Sequence, residues 1–143
     1  MQPFTFLKDT ATADVAFKAY GKTQAALCKN SALALESVMA DLKTIKPKIR
    51  HTIRINDKDF SQVLFKFLDE LVFLKDAKQL LFSKLTCKIT KDNDQITLTA
   101  TLLGDKINPK TQKLGDDVKA ITYHMFEVKH TKDGYTATVL VDV

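Results

Sequence analysis

The sequence runs to 143 residues, long enough for one domain to bury most of its apolar surface without disulfides or a structural metal. Hydrophobic residues make up 45% and charged residues 27%, which excludes fibrous and low-complexity classes, and no apolar run approaches the roughly 20 residues of a membrane span. The net charge of +5 raises the question of a polyanionic partner, but every basic residue except Arg50 and Arg54 is lysine, which fits a solvated or heat-adapted surface at least as well.

In chain order, Phe4 to Leu7 reads as a short strand and 9–13 as a small, polar loop. From Asp14, Val15, Phe17 and Ala19 alternate with Ala16, Lys18 and Tyr20, which predicts a half-buried strand broken by Gly21. Over 22–42, Ala25, Cys28, Ala32, Leu35, Met39 and Leu42 recur every three or four residues, the stripe of an amphipathic helix that Pro47 prevents from continuing. Over 48–56, Ile49, His51, Ile53 and Ile55 alternate with Lys48, Arg50, Thr52 and Arg54, a strand with one wet face. The acidic residues Asp57 and Asp59 supply a cap for a second helix over 60–74, with Phe60, Leu64, Phe67, Leu71 and Leu74 as its stripe. Two alternating runs around Asp92-Asn93-Asp94 form a hairpin. Residues 104–117 hold Asn108-Pro109 and Gly115 without any period, a long polar loop of the kind that is often functional. A final hairpin turns at Asp133-Gly134 and ends on Tyr135, Ala137, Val139, Val141 and Val143 alternating with Thr136, Thr138, Leu140 and Asp142. The order β-β-α-β-α-β-β-β-β over 1–143 predicts a single α+β domain of mainly antiparallel sheet with two amphipathic helices.

Catalytic signatures are missing. There is no Gly-x-Ser-x-Gly, no phosphate-cradling glycine loop among only four glycines, and no Cys/His cluster for zinc. Cys28 and Cys87 lie far apart in the chain on apolar faces, the pattern of buried, reduced thiols, with a disulfide or reactive thiol as the alternative. Glu36, Asp69 and Glu70 sit on helices and read as surface charges. His124 shares a predicted face with Val118, Ala120, Thr122, Phe126 and Val128, so a core or interface role is expected, with a direct functional role as the alternative; His51 reads as structural, and His130 as exposed at the turn. Lys46, Lys48, Arg50 and Arg54, with Lys84, Lys88 and Lys91, form a basic patch if their strands are neighbours, without the interleaved aromatics of a single-strand RNA platform.

One acidic constellation stands apart. Asp14 opens a strand, and Asp142 adjoins the α-carboxylate of Val143. If those strands meet, three carboxylates converge, which suits a hard cation such as Ca²⁺ or Mg²⁺. The ordinary reading of an aspartate at a strand end is a solvated or turn-capping group, and spacing does not choose between the two.

Several segments resemble one family. Thr12-Ala13-Asp14-Val15 and Ala19-Tyr20-Gly21-Lys22-Thr23 near the start, Leu68-Asp69-Glu70-Leu71 and Leu80-Leu81-Phe82-Ser83 in the middle, then Val118-Lys119-Ala120-Ile121-Thr122-Tyr123-His124, Glu127-Val128-Lys129 and Val139-Leu140-Val141-Asp142-Val143, are similar to archease. Archeases are accessory proteins of RtcB-type RNA ligases in tRNA splicing. The resemblance implies a non-enzymatic activator that promotes ligase guanylylation and multiple turnover and can broaden nucleotide specificity. It implies a divalent cation (Ca²⁺, with Mg²⁺ or Mn²⁺ as alternatives) held by Asp14, Asp142 and Val143. The expected partners are the ligase and, through it, tRNA, with no membrane. The chain departs from the family's Asp-His-Thr-Ala-Asp: Thr10 and Ala11 precede Thr12, so the histidine is unmatched and Asp9 is displaced. With no basic stretch leading into an apolar core at the N-terminus, a cytoplasmic location is expected. The alternative is a basic RNA-binding or chaperone-like module without ligase specificity; a metal-dependent hydrolase lacks an identifiable general base.

Overall fold

A computed structural model describes residues 2–7 and 14–143. The predicted loop over 9–13, and with it most of the Thr12-Ala13-Asp14 signature, lies outside the described residues. The elements are β1 (Phe4–Leu7), β2 (Asp14–Gly21), α1 (Gln24–Met39), β3 (Ile49–Asp57), α2 (Phe60–Lys78), β4 (Leu80–Asp92), β5 (Gln95–Lys106), β6 (Ala120–Thr131) and β7 (Gly134–Asp142), with one 3₁₀ turn at Leu42–Thr44. They reproduce the expected order. All strand pairs are antiparallel, in two sheets of order β1-β2-β7-β6 and β3-β5-β4. Each helix touches both sheets: α1 packs on β2 and β4, and α2 on β3 and β6.

Local chemistry sets the helix limits. Thr23 Oγ1 accepts from Ala26 N–H at 3.1 Å and starts α1; Asp59 Oδ1 accepts from Ser61 N–H at 3.1 Å and starts α2. The second helix continues one turn past the predicted Leu74. Its extra turn buries Lys75, and Gln79, in the left-handed conformation (φ 57°), closes it by donating to the Leu74 and Lys75 carbonyls.

The predicted polar loop starts later than its composition suggests. Gly104 and Asp105 belong to β5, paired with Phe82 and Leu81. A Cβ on Gly104 would stand 1.9 Å from the Leu81 carbonyl oxygen, so only glycine lets the strands approach there. The loop proper, 107–119, straps the end of α1. Gly115 N–H donates to Met39 O at 2.8 Å and Asp116 N–H to Val38 O at 2.9 Å, satisfying carbonyls that a helix end leaves open. Inside the strap, the buried Gln112 accepts from Asn108 N–H and donates to Lys106 O, both at 2.8 Å.

Glu36 corrects its reading as a surface charge. It is 1% exposed on α1, and its Oε1 accepts from Phe82 N–H at 2.9 Å. That amide lies beside a β4 bulge, where pairing slips between Phe82 and Lys84. Burial pushes the Glu36 carboxyl up to about 8 against the Phe82 hydrogen bond, which pulls it down. Its Oε2 has no hydrogen-bond partner among the described residues, as suits a neutral acid in an apolar setting. The thiols are free, with Cys28 buried and Cys87 half-buried, and burial pushes the Cys87 thiol up to about 12.

A raised carboxyl pKa in the folded state gives a definite pH dependence. The contribution of Glu36 to stability is complete below about pH 4.5, where both states are protonated, and is lost as pH rises through about 8. Glu36→Gln keeps an acceptor for Phe82 N–H and removes the titration. In urea unfolding at several pH values it should flatten the decline between about pH 5 and 8; an unchanged slope would refute the assignment.

Candidate functional site

The pairing of β2 with β7 settles whether the early aspartate and the end of the sequence meet. Asp14 stands directly opposite Asp142, and the ladder continues through Val15↔Val141, Phe17↔Val139 and Ala19↔Ala137 to Gly21↔Tyr135. Phe17, Ala19, Ala137, Val139 and Val141 are all fully buried, so the core holds the register. Asp142 and Val143 are both half-buried, Val143 just beyond the paired strand and packed against the core.

A second set of contacts fixes Asp142 from the other side. Ala120 of β6 pairs with it, and the preceding Lys119 N–H donates to the Asp142 carbonyl at 2.7 Å. That approach depends on Lys75, whose ammonium, 6% exposed, donates to Val118 O at 2.7 Å and to Asp117 and Asp76 at 2.5 Å each. Burial acts to lower the Lys75 pKa, and the hydrogen bonds and charges of Asp117 and Asp76 outweigh it, so the net direction is upward and the group stays an ammonium. Fully buried Val118 and the clamped Asp117 hold the end of the long loop against α2.

The donor set is all oxygen. Two carboxylates on one rung, whose Cβ atoms in such pairs lie about 5 Å apart, suit a hard cation rather than a thiophilic one. Among the described residues no group of three or more His, Cys, Asp or Glu side chains is arranged to hold a metal.

The other candidates fall elsewhere. His124 is exposed, which rules out the core half of its expected core or interface role. The cause is a bulge in β6: four residues, 123–126, stand between Thr122↔Leu140 and Glu127↔Thr138, across from Val139 alone. Met125 takes the left-handed conformation (φ 64°), and the alternation changes phase. Ile121 and Val128, not Thr122 and His124, therefore face Val141 and Ala137 of the core. Tyr123, missed in the sequence as a notable residue, lies stacked on Phe65 with ring centroids 3.8 Å apart, and Phe126 meets the same ring edge-on at 5.2 Å. Four non-alternating residues, Tyr-His-Met-Phe, were the available signal. His51 lies half-buried beside Phe82, and exposed His130 stacks on Tyr135 at 4.2 Å. The basic residues of β3 and β4 are not neighbours, because β5 runs between them.

Residues 4–143 match the model of the Archease protein family (MTH1598/TM1083). The chain is 34% identical over 143 residues to a protein archease of Methanothermobacter thermautotrophicus, covering 100% of both chains. It is 34% identical over 133 residues to one from Methanosarcina barkeri, covering 92% of this chain and 91% of the relative. The solution structure of Methanobacterium thermoautotrophicum protein 1598 resembles it with a TM-score of 0.88 at 34% identity over 100% of each chain. A crystal structure from Thermotoga maritima, described as an archease and possible chaperone, shares the fold with a TM-score of 0.63 at 16% identity over 92% of each chain.

Two substitutions test how the site is held. Lys75→Ala leaves Val118 O without its buried donor and should cost about 2 kcal/mol in chemical denaturation, with faster hydrogen exchange at Lys119 N–H. Met125→Gly should be stabilising by up to about 1 kcal/mol while Met125→Val is destabilising, because glycine tolerates the left-handed backbone and a β-branched side chain does not. Equal effects of the two Met125 variants would contradict the strained bulge.

Proposed function

Because the chain belongs to the archease family, we propose that it is an accessory protein of an RtcB-type RNA ligase in tRNA splicing, acting through the acidic rung at Asp14, Asp142 and Val143. The single observation that carries this reading is the register that puts Asp14 opposite Asp142. In this reading the chain performs no reaction of its own. It presents oxygen donors at one end of the four-stranded sheet to the ligase's nucleotide site, promoting guanylylation and repeated turnover.

The residues divide the work. Asp14 and Asp142 offer side-chain carboxylates, and Val143 offers the third donor through its α-carboxylate. The Lys119 N–H holds the Asp142 carbonyl, and Lys75 holds the segment that carries Lys119. A divalent ion at this rung, Ca²⁺ or in its place Mg²⁺ or Mn²⁺, would neutralise phosphate charge during nucleotidyl transfer. The oxygen-only donor set fits such an ion.

The test is multiple-turnover ligation by a cognate ligase with and without the chain. The intact chain should raise product beyond one equivalent of ligase. Asp142→Ala should remove that stimulation while its thermal midpoint stays within a few degrees of the parent, and one residue added after Val143 should do the same. Full stimulation by both variants would refute the role of the rung; no stimulation by the folded parent would refute the ligase partnership.

A further inference from the structure

The outward face of the β3-β5-β4 sheet has an arrangement that the acidic rung does not use. Arg50, Leu103 and Lys84 form one cross-strand row; Thr52, Thr101 and Thr86 the next; then Arg54, Thr99 and Lys88; then Asn56, Thr97 and Thr90. The β3 and β4 members of every row are exposed, while Ile53, Leu85, Leu98, Ala100 and Leu102 line the buried side. Basic side chains thus stand along both margins, about 10 Å apart across β5 and about 13 Å apart along each strand. Between them runs a lane of threonine hydroxyls, and no acidic side chain occurs in these four rows. At one end Lys29 and Leu33 of α1 overhang the sheet, and with Arg50, Lys84, Thr86 and Thr101 they border a depression of about 580 Å³.

We propose that this face binds RNA through its sugar–phosphate backbone. Four cations on the sheet margins flanking hydroxyl donors match phosphate oxygens at the margins and ribose hydroxyls in the lane. An acidic protein is the poorer fit, because a stable protein interface needs an apolar or aromatic anchor at its centre, and three of the four rows centre on threonine, with Leu103 in the end row alone. No aromatic side chain stands in the rows, so binding is independent of base identity and dominated by counterion release. DNA shares the phosphates and lacks the 2′-hydroxyls, so the threonine lane favours RNA over it. The inference does not depend on the ligase partnership; it concerns a different sheet and is read in the absence of any ligase.

The experiment is fluorescence anisotropy of the full chain with a labelled oligouridylate of about 20 nucleotides, titrated with salt. The parent should bind at low salt with a steep salt dependence. The variant Arg50→Ala/Arg54→Ala/Lys84→Ala/Lys88→Ala should bind at least about tenfold more weakly, its salt slope lowered by about 3 at about 0.7 per lost phosphate contact. An unchanged circular dichroism spectrum and thermal midpoint would establish that the variant is folded. Lys110→Ala/Lys113→Ala/Lys132→Ala removes exposed charge elsewhere and should bind like the parent. The DNA of the same sequence should bind more weakly, and Thr99→Val/Thr101→Val should narrow that gap. The proposal is overturned if the parent fails to bind RNA at low salt, or if the control variant loses as much affinity as the sheet variant. It is also overturned if DNA or polyglutamate of equal charge binds as tightly as the RNA.

Discussion

The antiparallel seam between β2 and β7 is the constraint on which the structure depends. It joins a strand from the start of the sequence to the one at its end, and its register is set by apolar packing. Phe17 opposite Val139 and Ala19 opposite Ala137 leave no exposed surface. A slip of one residue would turn Val139 and Val141 outward and drive Asp142 into the interior, where an unpaired carboxylate is costly. The hydrophobic core therefore does more than stabilise the fold. It sets which two carboxylates face each other.

The same seam explains why distant elements matter to the site. β7 lies between β2 and β6, so β6 must enter beside Asp142, and its entry is fixed by the long strap over 107–119. The strap closes α1 at one end and is gripped by Lys75 of α2 at the other. Its length, which in composition looked like a functional loop, is used to satisfy helix carbonyls and to deliver Lys119 to the Asp142 carbonyl. The buried ammonium of Lys75 works because two carboxylates and a carbonyl surround it; the buried carboxyl of Glu36 is tolerated because it is held protonated against one amide.

Much of this was legible in the residues, for a physical reason. The period-two alternation of β2 and β7, the turn at Asp133-Gly134, and the Asp59 cap ahead of Phe60 are local signals, and the structure follows them closely. The pairing of Asp14 with Asp142 was suggested by the resemblance of the segments around them and left undecided by spacing. What escaped the sequence belongs to contacts between elements. Each bulge, at Phe82 and at residues 123–126, inserts residues relative to a partner strand, which periodicity within one strand does not reveal. His124 was assigned the wrong face by that phase change. Glu36 looked like any helical carboxylate because its amide partner is 46 residues away in the chain.

The bulge in β6 also has a bearing on how these molecules behave in a crowd. β6 is the outer strand of the four-stranded sheet, and β1, on the opposite margin, spans four of the described residues. A long straight margin would offer open amides and carbonyls to any extended chain nearby, including another copy of the same protein. At 123–126 the pairing of β6 is interrupted by the bulge, and Tyr123 and Phe126 pack onto Phe65. The other sheet carries Arg50 and Arg54 along its β3 margin. Both features interrupt the template that an incoming strand would meet at the β6 and β3 margins.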